Sequence, residues 1–213
     1  MNRAILCIFA KPPVPGKVKT RLIPYVTARQ AADMAEAFLV DVSTTCSKIS
    51  QVQTVIATVG DWPAKVRRPK NLEIWQQEGE DLGQRMASIF LRGLQRAPMV
   101  LAIGADVPLI SPEILEDGLK KLKQNDALIG PSEDGGYYML GFTRFQPGLL
   151  DGLPRSEPHT RQATQERLTA HGYRFTHTDT LFDVDTPEDL ERLEQEGCFE
   201  ATRRAFESLK AGS

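Results

Sequence analysis

Short apolar runs alternate with longer amphipathic segments along almost the whole chain, and this alternation restricts the possible folds most. The segment RAILCIFA at residues 3–10 is a continuous apolar run of strand length, and MVLAIGAD at residues 99–106 is similar. From Thr27 to Ile49, apolar residues instead recur at helical spacing. Strands that helices cover on both faces have such continuous runs, because neither face meets water. The pattern predicts an α/β fold of three layers, α/β/α, around a mainly parallel mixed sheet.

The same two patterns divide the rest of the chain. We expect further strands at residues 52–60, 71–77 and 173–178, two more within 126–142, and further helices at 80–97, 111–123, 161–172 and from Thr186 to the C-terminus. Ser111 before Pro112 and Thr186 before Pro187 are typical helix starts. No internal repeat or domain-sized linker interrupts the pattern, so one domain is expected over residues 1–213.

Charge and cysteine content exclude several classes of protein. The 26 basic and 28 acidic side chains give a formal net charge of −2, which is not the positive field of a nucleic-acid-binding protein. The three cysteines are far apart and form no CxxC pair, which argues against a disulfide scaffold and a zinc site. No apolar stretch is long enough to cross a bilayer, and the N-terminal run does not have the pattern of a cleavable leader. We therefore expect a cytoplasmic enzyme with no nucleic-acid partner and no membrane span.

Four cationic residues follow the first predicted strand. The segment KPPVPGKVKTRL has Lys11, Lys17, Lys19 and Arg21 around Gly16, and its prolines exclude a regular helix. Phosphate binding needs cationic donors and backbone amides that glycine leaves accessible. The spacing is not that of a P-loop, and the chain has no GxGxxG motif for a dinucleotide. The loop is predicted to bind phosphates, and the alternative is a basic loop exposed to solvent.

Three aspartates occur where a metal site is expected. Asp106 follows the apolar run LAIG, at the carboxyl end of a predicted strand, where α/β sheets bind ligands. A carboxylate there can hold a divalent cation, although it can also cap a turn. Asp183 and Asp185 alternate on an extended segment and share one face, so either can supply a second ligand. Thr186 and Asp189 have a capping-box pattern, so one acidic group there is expected to serve only as a cap.

The segment GPSEDGGYYMLG contains the last candidate group. Gly135 and Gly136 allow backbone conformations closed to other residues, and Asp134 lies beside them. The two tyrosines that follow are more typical of strand packing than of a site. On spacing alone, this segment is a Gly-rich turn between two strands.

The order of these four motifs resembles a known family. FAKPPVPGKVKTRL, IGADVPLI, GPSEDGGYYMLG and DVDTPEDL lie within residues 3–193 and look like small bacterial GT-A-type transferases, which are assigned mainly as glycosyltransferases and are similar to 2-phospholactate guanylyltransferase. The resemblance implies the nucleotide-diphospho-sugar transferase (GT-A) fold. It implies that Asp106 and Asp185 bind a metal ion and that Asp134 lies on the acceptor side. The residues implied in nucleotide binding are Ala10, Lys11, Gly16, Lys19, Arg21, Asp106, Gly135 and Gly136.

Motifs and resemblance together predict a metal-dependent transferase with Mg²⁺ or Mn²⁺, a nucleotide sugar or NTP as donor, and a small-molecule acceptor. The predicted catalytic residues are Asp106, Asp134, Lys19 and Arg21, with Asp134 as the base that an inverting glycosyltransferase requires. Glycosyl transfer from a nucleotide-diphospho-sugar is favoured on the family resemblance. Two alternatives stay open: a guanylyl- or cytidylyl-type nucleotidyltransferase with a small phosphorylated or carboxylated acceptor, and a non-catalytic nucleotide-sugar binding module. The sequence does not indicate the oligomeric state.

Overall fold

The computed structural model describes residues 3–154 and 159–211. Its strands are β1 (Ala4–Phe9), β2 (Val52–Thr58), β3 (Glu73–Gln76), β4 (Val100–Gly104), β5 (Ala127–Pro131), β6 (Tyr137–Phe142) and β7 (Phe175–His177). Its helices are α1 (Ala28–Ser47), α2 (Leu82–Leu94), α3 (Pro112–Leu122), α4 (Thr160–Ala170), α5 (Pro187–Glu196) and α6 (Glu200–Ala211), and a single 3-10 turn covers Thr20–Leu22. Each strand and helix lies in a segment where the apolar runs or the helical spacing predict it, except that α4 begins one residue earlier than predicted, at Thr160.

These seven strands form one sheet with the order β3-β2-β1-β4-β6-β5-β7. β1 is parallel to β2 and β4, β2 is parallel to β3, and β5 is parallel to β7. β6 is antiparallel to both of its neighbours, β4 and β5. A short turn joins β5 to β6, and such turns join only antiparallel strands, whereas parallel strands need a longer crossover. The predicted mainly parallel mixed sheet is therefore confirmed.

Side-chain alternation along β1 determines which helices cover each face of the sheet. Leu6 and Ile8 pack into a core that also contains residues of α1 and α3. Ile5 and Cys7 point to the opposite face, into a core with residues of α2 and α4. All four side chains are fully buried, and burying each of the leucine and isoleucine side chains stabilises the fold by about 1.5–3 kcal/mol. The three-layer α/β/α architecture is confirmed.

A third apolar cluster joins the C-terminal helices to α1. Met34 and Phe38 of α1 pack with Leu193 of α5 and Phe206 of α6. Val184, which precedes α5, belongs to the same cluster and is fully buried. Because Val184 faces inwards, its two neighbours in the extended chain face the other way, towards the edge of the sheet. This packing places Asp183 and Asp185, which are far from β4 in the sequence, at the end of that strand.

A buried carboxylate fixes α6 on α1. Asp41 in α1 is 4% exposed. It accepts hydrogen bonds from the backbone N–H groups of Ala201 and Thr202 and from the hydroxyl of Thr202. These contacts satisfy donors in the first turn of α6 that have no partner within the helix. The carboxylate therefore caps a helix that lies far away in the sequence.

The predicted helix starts also agree with the structure. Thr27 and Thr186 each form a capping box at the start of α1 and α5, and Ser111 caps α3. Residues 11–19 form neither helix nor strand, as the prolines predict. Among residues 3–154 and 159–211, none of the helices is long and apolar enough to cross a membrane. The assignment of residues 1–213 to one domain stays a prediction.

Candidate functional site

The crevice at the carboxyl ends of β1 and β4 brings the predicted motifs together. These strands are neighbours, and the chain continues from them towards opposite edges of the sheet: β2 lies beside β1 on one side, and β5 lies beyond β4 on the other. Such a reversal opens a crevice where α/β proteins bind ligands. The basic loop leaves β1 here, and Asp106 follows β4. The backbone N–H of Ala105 donates to the carbonyl of Phe9 at 3.2 Å, so the chain segments that leave β4 and β1 begin side by side.

Three aspartates form a cluster in this crevice. One oxygen each from Asp106, Asp183 and Asp185 can be chosen so that all lie within 4.8 Å of one another. The backbone N–H of Val184 donates to the carbonyl of Asp106 at 2.9 Å, so the main chain holds the two segments side by side. The sequence left open whether Asp183 or Asp185 joins Asp106. In the structure both side chains lie close to it.

The capping box leaves the Asp185 carboxylate available. Asp189 Oδ2 accepts hydrogen bonds from the backbone N–H groups of Asp185 and Thr186, at 3.0 and 2.7 Å, and from the Thr186 hydroxyl. Thr186 Oγ1 in turn accepts from the N–H of Asp189. Asp189 is therefore the acidic residue that serves as the cap. Asp185 is not needed for the helix start, so its side chain can face the crevice.

Lys19 places its ammonium group between two of the carboxylates. Its Nζ lies 2.7 Å from Asp185 Oδ1 and 3.3 Å from Asp106 Oδ2, and its side chain is only 11% exposed. Arg21 Nη1 lies 3.5 Å from Asp185 Oδ2, but this side chain is 70% exposed. Lys19 has a left-handed backbone with φ of 46°, a region that residues with side chains seldom adopt. The two ion pairs of Lys19 therefore occur together with an uncommon backbone conformation.

Burial and charge act in opposite directions on these groups. Burial disfavours the charged form of Lys19, but Asp106 and Asp185 outweigh it and raise the pKa of the ammonium. Burial also acts to raise the pKa of Asp185, but the charges of Lys19, Arg21 and Lys11 hold that pKa below its ordinary value. Both members of the Lys19–Asp185 pair are therefore charged near neutral pH.

Asp183 has a different environment within the same cluster. Burial raises its pKa, and the nearby charges of Asp106 and Asp134 raise it further, although a hydrogen bond from Ser132 opposes them. Ser132 Oγ donates to Asp183 Oδ1 at 2.7 Å. Ser132 was not among the predicted site residues. It directly follows β5, so the rule that identified Asp106 at the end of β4 could also have found this serine.

Two cavities meet at the aspartates. The first, the basic cavity, has a volume of about 370 Å³ and is lined by Ala10, Lys11, Lys17, Lys19, Arg21 and Phe38. The second, the acidic cavity, has a volume of about 310 Å³ and is lined by Asp106, Asp134, Asp183 and Asp185, with an apolar wall that includes Leu82, Met86 and Leu150. The cavities share Arg21, Asp106 and Asp185. A ligand that extends across both would pass directly over the aspartates.

The glycines occupy turns around the site. Gly16 has a φ of +76° in the basic loop, and Gly135 has a φ of +91° in the β5–β6 turn. Gly136 lines the acidic cavity and donates its N–H to Asp134 Oδ1 at 2.8 Å, whereas Gly16 and Gly135 line neither cavity. Gly104 at the end of β4 was not predicted as a site residue. A Cβ at this position would lie 2.5 Å from Asp106 Oδ1, so the glycine makes room for that carboxylate.

The donor set fits a divalent cation of the Mg²⁺ or Mn²⁺ type. Such ions prefer carboxylate oxygens, and Mg²⁺ commonly takes one or two of them while water and phosphate complete its shell. The oxygens of the cluster converge within 4.8 Å and are partly exposed to the crevice. Lys19 already places a positive charge between two of the carboxylates. Charge and geometry therefore both favour a cation here.

Comparison with known proteins gives one family and several structural relatives. A family model described as "Uncharacterized protein conserved in bacteria (DUF2064)" matches residues 41–157, more than half of the chain. The 2-phospho-L-lactate guanylyltransferase of Methanobrevibacter smithii is 24% identical over 196 residues, which cover 90% of this chain and 85% of that protein.

Several solved structures share the fold, including the following two. A protein of Desulfovibrio desulfuricans G20, assigned as a nucleotide-diphospho-sugar transferase, is 30% identical with a TM-score of 0.84 and covers 92% of this chain and 88% of its own. A Mycobacterium tuberculosis H37Rv protein, crystallised in complex with manganese, is 17% identical with a TM-score of 0.53. The match covers 92% of this chain and 100% of the Mycobacterium chain. At 17% identity the second likeness shows the fold alone. This chain therefore belongs to the bacterial family DUF2064 and has the nucleotide-diphospho-sugar transferase fold.

Proposed function

We propose that this chain is a metal-dependent nucleotidyltransferase of the guanylyl or cytidylyl type, which transfers a nucleoside monophosphate from an NTP to a small acceptor. The observation that carries the proposal is the contact between the basic loop and the aspartate cluster. Lys19 Nζ lies within hydrogen-bonding distance of both Asp185 and Asp106. Transferase activity is the part supported by both the guanylyltransferase relative and the Desulfovibrio protein.

Each side of the crevice has a role in this proposal. Lys11, Lys19 and Arg21 bind phosphate oxygens and stabilise the negative charge that grows on the leaving pyrophosphate. Asp106 and Asp185 would hold Mg²⁺ or Mn²⁺, with Asp183 beside them. When bound, the ion supplies charge neutralisation and orientation at the phosphates. The acceptor lies in the acidic cavity, so its attacking oxygen approaches the phosphorus from the side opposite the basic loop.

The environment of Asp134 favours nucleotidyl over glycosyl transfer. An inverting glycosyltransferase needs a base for the acceptor hydroxyl, and Asp134 was the predicted base. Its side chain is exposed, and its Oδ1 accepts the N–H of Gly136, as expected for a residue that stabilises the turn. An anionic acceptor that attacks phosphorus needs no base. Together with the guanylyltransferase relative, this reverses the order of preference that the family resemblance suggested.

Glycosyl transfer is the second candidate. Asp134 lines the acidic cavity, and its Oδ2 forms no hydrogen bond with the described residues, so a base at this position is geometrically possible. The protein that is 30% identical is assigned as a nucleotide-diphospho-sugar transferase. A non-catalytic binding module is the third candidate, and it would bind the donor without forming a product.

The reaction product distinguishes these candidates. The protein is incubated with Mn²⁺ and each NTP, with small hydroxy acids and their phosphates as acceptors, beginning with 2-phospho-L-lactate. Pyrophosphate release is measured, and parallel reactions with nucleotide sugars are assayed for nucleoside diphosphate. We expect acceptor-dependent pyrophosphate release from one NTP, and its loss in Asp106→Ala. Nucleoside diphosphate released from a nucleotide sugar, with no pyrophosphate from any NTP, would contradict the proposal and favour glycosyl transfer.

A further inference from the structure

The ammonium group of Lys19 lies where the proposed function requires the metal ion. Its Nζ contacts Asp185 Oδ1 at 2.7 Å and Asp106 Oδ2 at 3.3 Å. These are the two carboxylates assigned to the ion, and they belong to the group of converging oxygens. An ammonium nitrogen at this distance uses the same oxygen lone pairs that a divalent cation would use. Two cations this close would also repel each other strongly in a partly buried site.

We propose that Lys19 is an internal counter-ion that competes with the metal ion, and that a phosphate ligand in the basic cavity relieves the competition by attracting the ammonium group. The inference rests on the proposed function and describes how its site is regulated. Because of this competition, metal and nucleotide bind cooperatively, and each binds weakly when the other is absent. Linkage requires that the factor by which nucleotide strengthens metal binding equals the factor by which metal strengthens nucleotide binding.

The geometry singles out Lys19 among the cations of the loop. Arg21 reaches only Asp185, at 3.5 Å, and its side chain is 70% exposed, so its charge is largely screened by solvent. Lys19 is 11% exposed and reaches both carboxylates. It also lines the basic cavity, so its flexible four-carbon side chain can turn to a phosphate there without moving the backbone.

The charge of Lys19 also balances the repulsion within the aspartate cluster. Three carboxylates within 4.8 Å repel one another, and this repulsion would separate them if nothing balanced it. Lys19 supplies the balancing charge and holds Asp106 and Asp185 close to their positions as ligands. The lysine is therefore a positioning residue in the free protein and a phosphate ligand in the complex.

Direct titration with Mn²⁺ tests the competition without a nucleotide. Bound and free Mn²⁺ are measured by electron paramagnetic resonance for the unaltered protein, Lys19→Met and Lys19→Arg, with Lys120→Met on the exposed side of α3 as the control. We expect Lys19→Met to bind Mn²⁺ about tenfold more tightly than the unaltered protein. Lys19→Arg, which keeps the charge, and Lys120→Met should not bind it more tightly. Lys19→Gln provides a second neutral variant if the methionine destabilises the fold.

Two further variants separate failure of this inference from failure of the proposed function. If Asp106→Asn and Asp185→Asn abolish Mn²⁺ binding but Lys19→Met and Lys19→Gln do not tighten it, the competition is refuted and the metal site stands. If the aspartate variants leave Mn²⁺ binding unchanged, both the metal site and the competition are refuted. A fluorescent GTP analogue, titrated with Mn²⁺ or with EDTA, provides the second readout. The metal-dependent gain in its affinity should be larger in the unaltered protein than in Lys19→Met, and an equal gain would overturn the inference.

Discussion

The basic and acidic cavities meet at the same aspartates but are built in different ways. The cations of the basic cavity come from one short segment, Lys11 to Arg21, that follows β1. The wall of the acidic cavity comes from segments far apart in the sequence, including α2, the end of β4, the β5–β6 turn and the segment before α5. One cavity is therefore determined largely by local sequence, whereas the other exists only after the sheet and helices have packed.

The chemical difference between the cavities indicates that they bind different reactants. Four cations line the basic cavity, which suits the phosphates of a nucleotide. Four aspartates and an apolar wall line the acidic cavity, and its one lining cation among the described residues is Arg21, which both cavities share. Substitutions in the basic cavity should therefore change the KM for the nucleotide, and those in the acidic cavity should change the KM for the acceptor. Substitutions of the shared aspartates should affect both reactants.

Removing a shared aspartate should have the largest effect. Asp106→Ala and Asp185→Ala each remove a proposed metal ligand, and we expect turnover to fall by about a hundredfold or more. Both side chains are 38% exposed, so the fold should persist, which circular dichroism can check. Asp117, a half-exposed carboxylate on α3 that pairs with Lys121, provides the matched control. The variant Asp117→Asn should behave like the unaltered protein. Equal activity in all three variants would rule out a shared metal site.

Loss of a cation from the basic cavity should weaken donor binding selectively. A charge-assisted hydrogen bond contributes about 1.5–3 kcal/mol, so Arg21→Ala or Lys11→Ala should raise the KM for the nucleotide by about tenfold to a hundredfold. The KM for the acceptor should change much less in Lys11→Ala, because Lys11 lines only the basic cavity. Steady-state kinetics with each substrate varied in turn measures both constants. A larger change in the acceptor KM would reverse the assignment of the cavities.

Ser132→Ala tests the support of the aspartate cluster from the acidic side. The substitution removes the hydrogen bond of 2.7 Å to Asp183 without touching a proposed ligand of the nucleotide. Groups that orient metal ligands commonly affect metal affinity by about tenfold to a hundredfold, and we expect the lower end here because Asp183 is the third carboxylate. Mn²⁺ titration of the variant measures the change. Unchanged affinity would mean that the Ser132 hydrogen bond does not support metal binding.

Asp134→Asn should have the smallest effect. Asparagine keeps the oxygen that accepts the Gly136 N–H, so the turn is preserved while the basic carboxylate is lost. Nucleotidyl transfer should retain its rate to within about threefold, whereas general-base catalysis contributes about a hundredfold or more. The turnover number with the NTP donor measures this directly. A loss of a hundredfold would identify Asp134 as a base and favour glycosyl transfer instead.

The two cavities also show what the sequence could and could not predict. The basic loop could be predicted because its charges, prolines and glycine are contiguous and follow a strand. Asp106 could be predicted from its place after β4. The position of Ser132 after β5 follows the same rule, but its hydrogen bond to Asp183, 51 residues later in the chain, could not be predicted from the sequence. Similarly, the helix caps at Thr27 and Thr186 follow from local sequence. The packing of α5 and α6 on α1, which carries Asp185 to the site, comes from tertiary contacts that no local pattern records.

Metal and nucleotide should bind together where the two cavities meet, and thermal unfolding measures this coupling. The protein is heated with each NTP and with nucleotide sugars, in Mn²⁺ or EDTA, beside Asp106→Asn and Asp185→Asn. A ligand at about 100 times its Kd adds about 2.7 kcal/mol, and each kcal/mol raises Tm by about 2–4 °C in a chain of this size. We predict that one NTP raises Tm with Mn²⁺ and much less in EDTA, and that both variants lose the metal-dependent part. A shift that is equal in EDTA and unchanged in the variants would mean that the nucleotide binds independently of a metal ion at these aspartates.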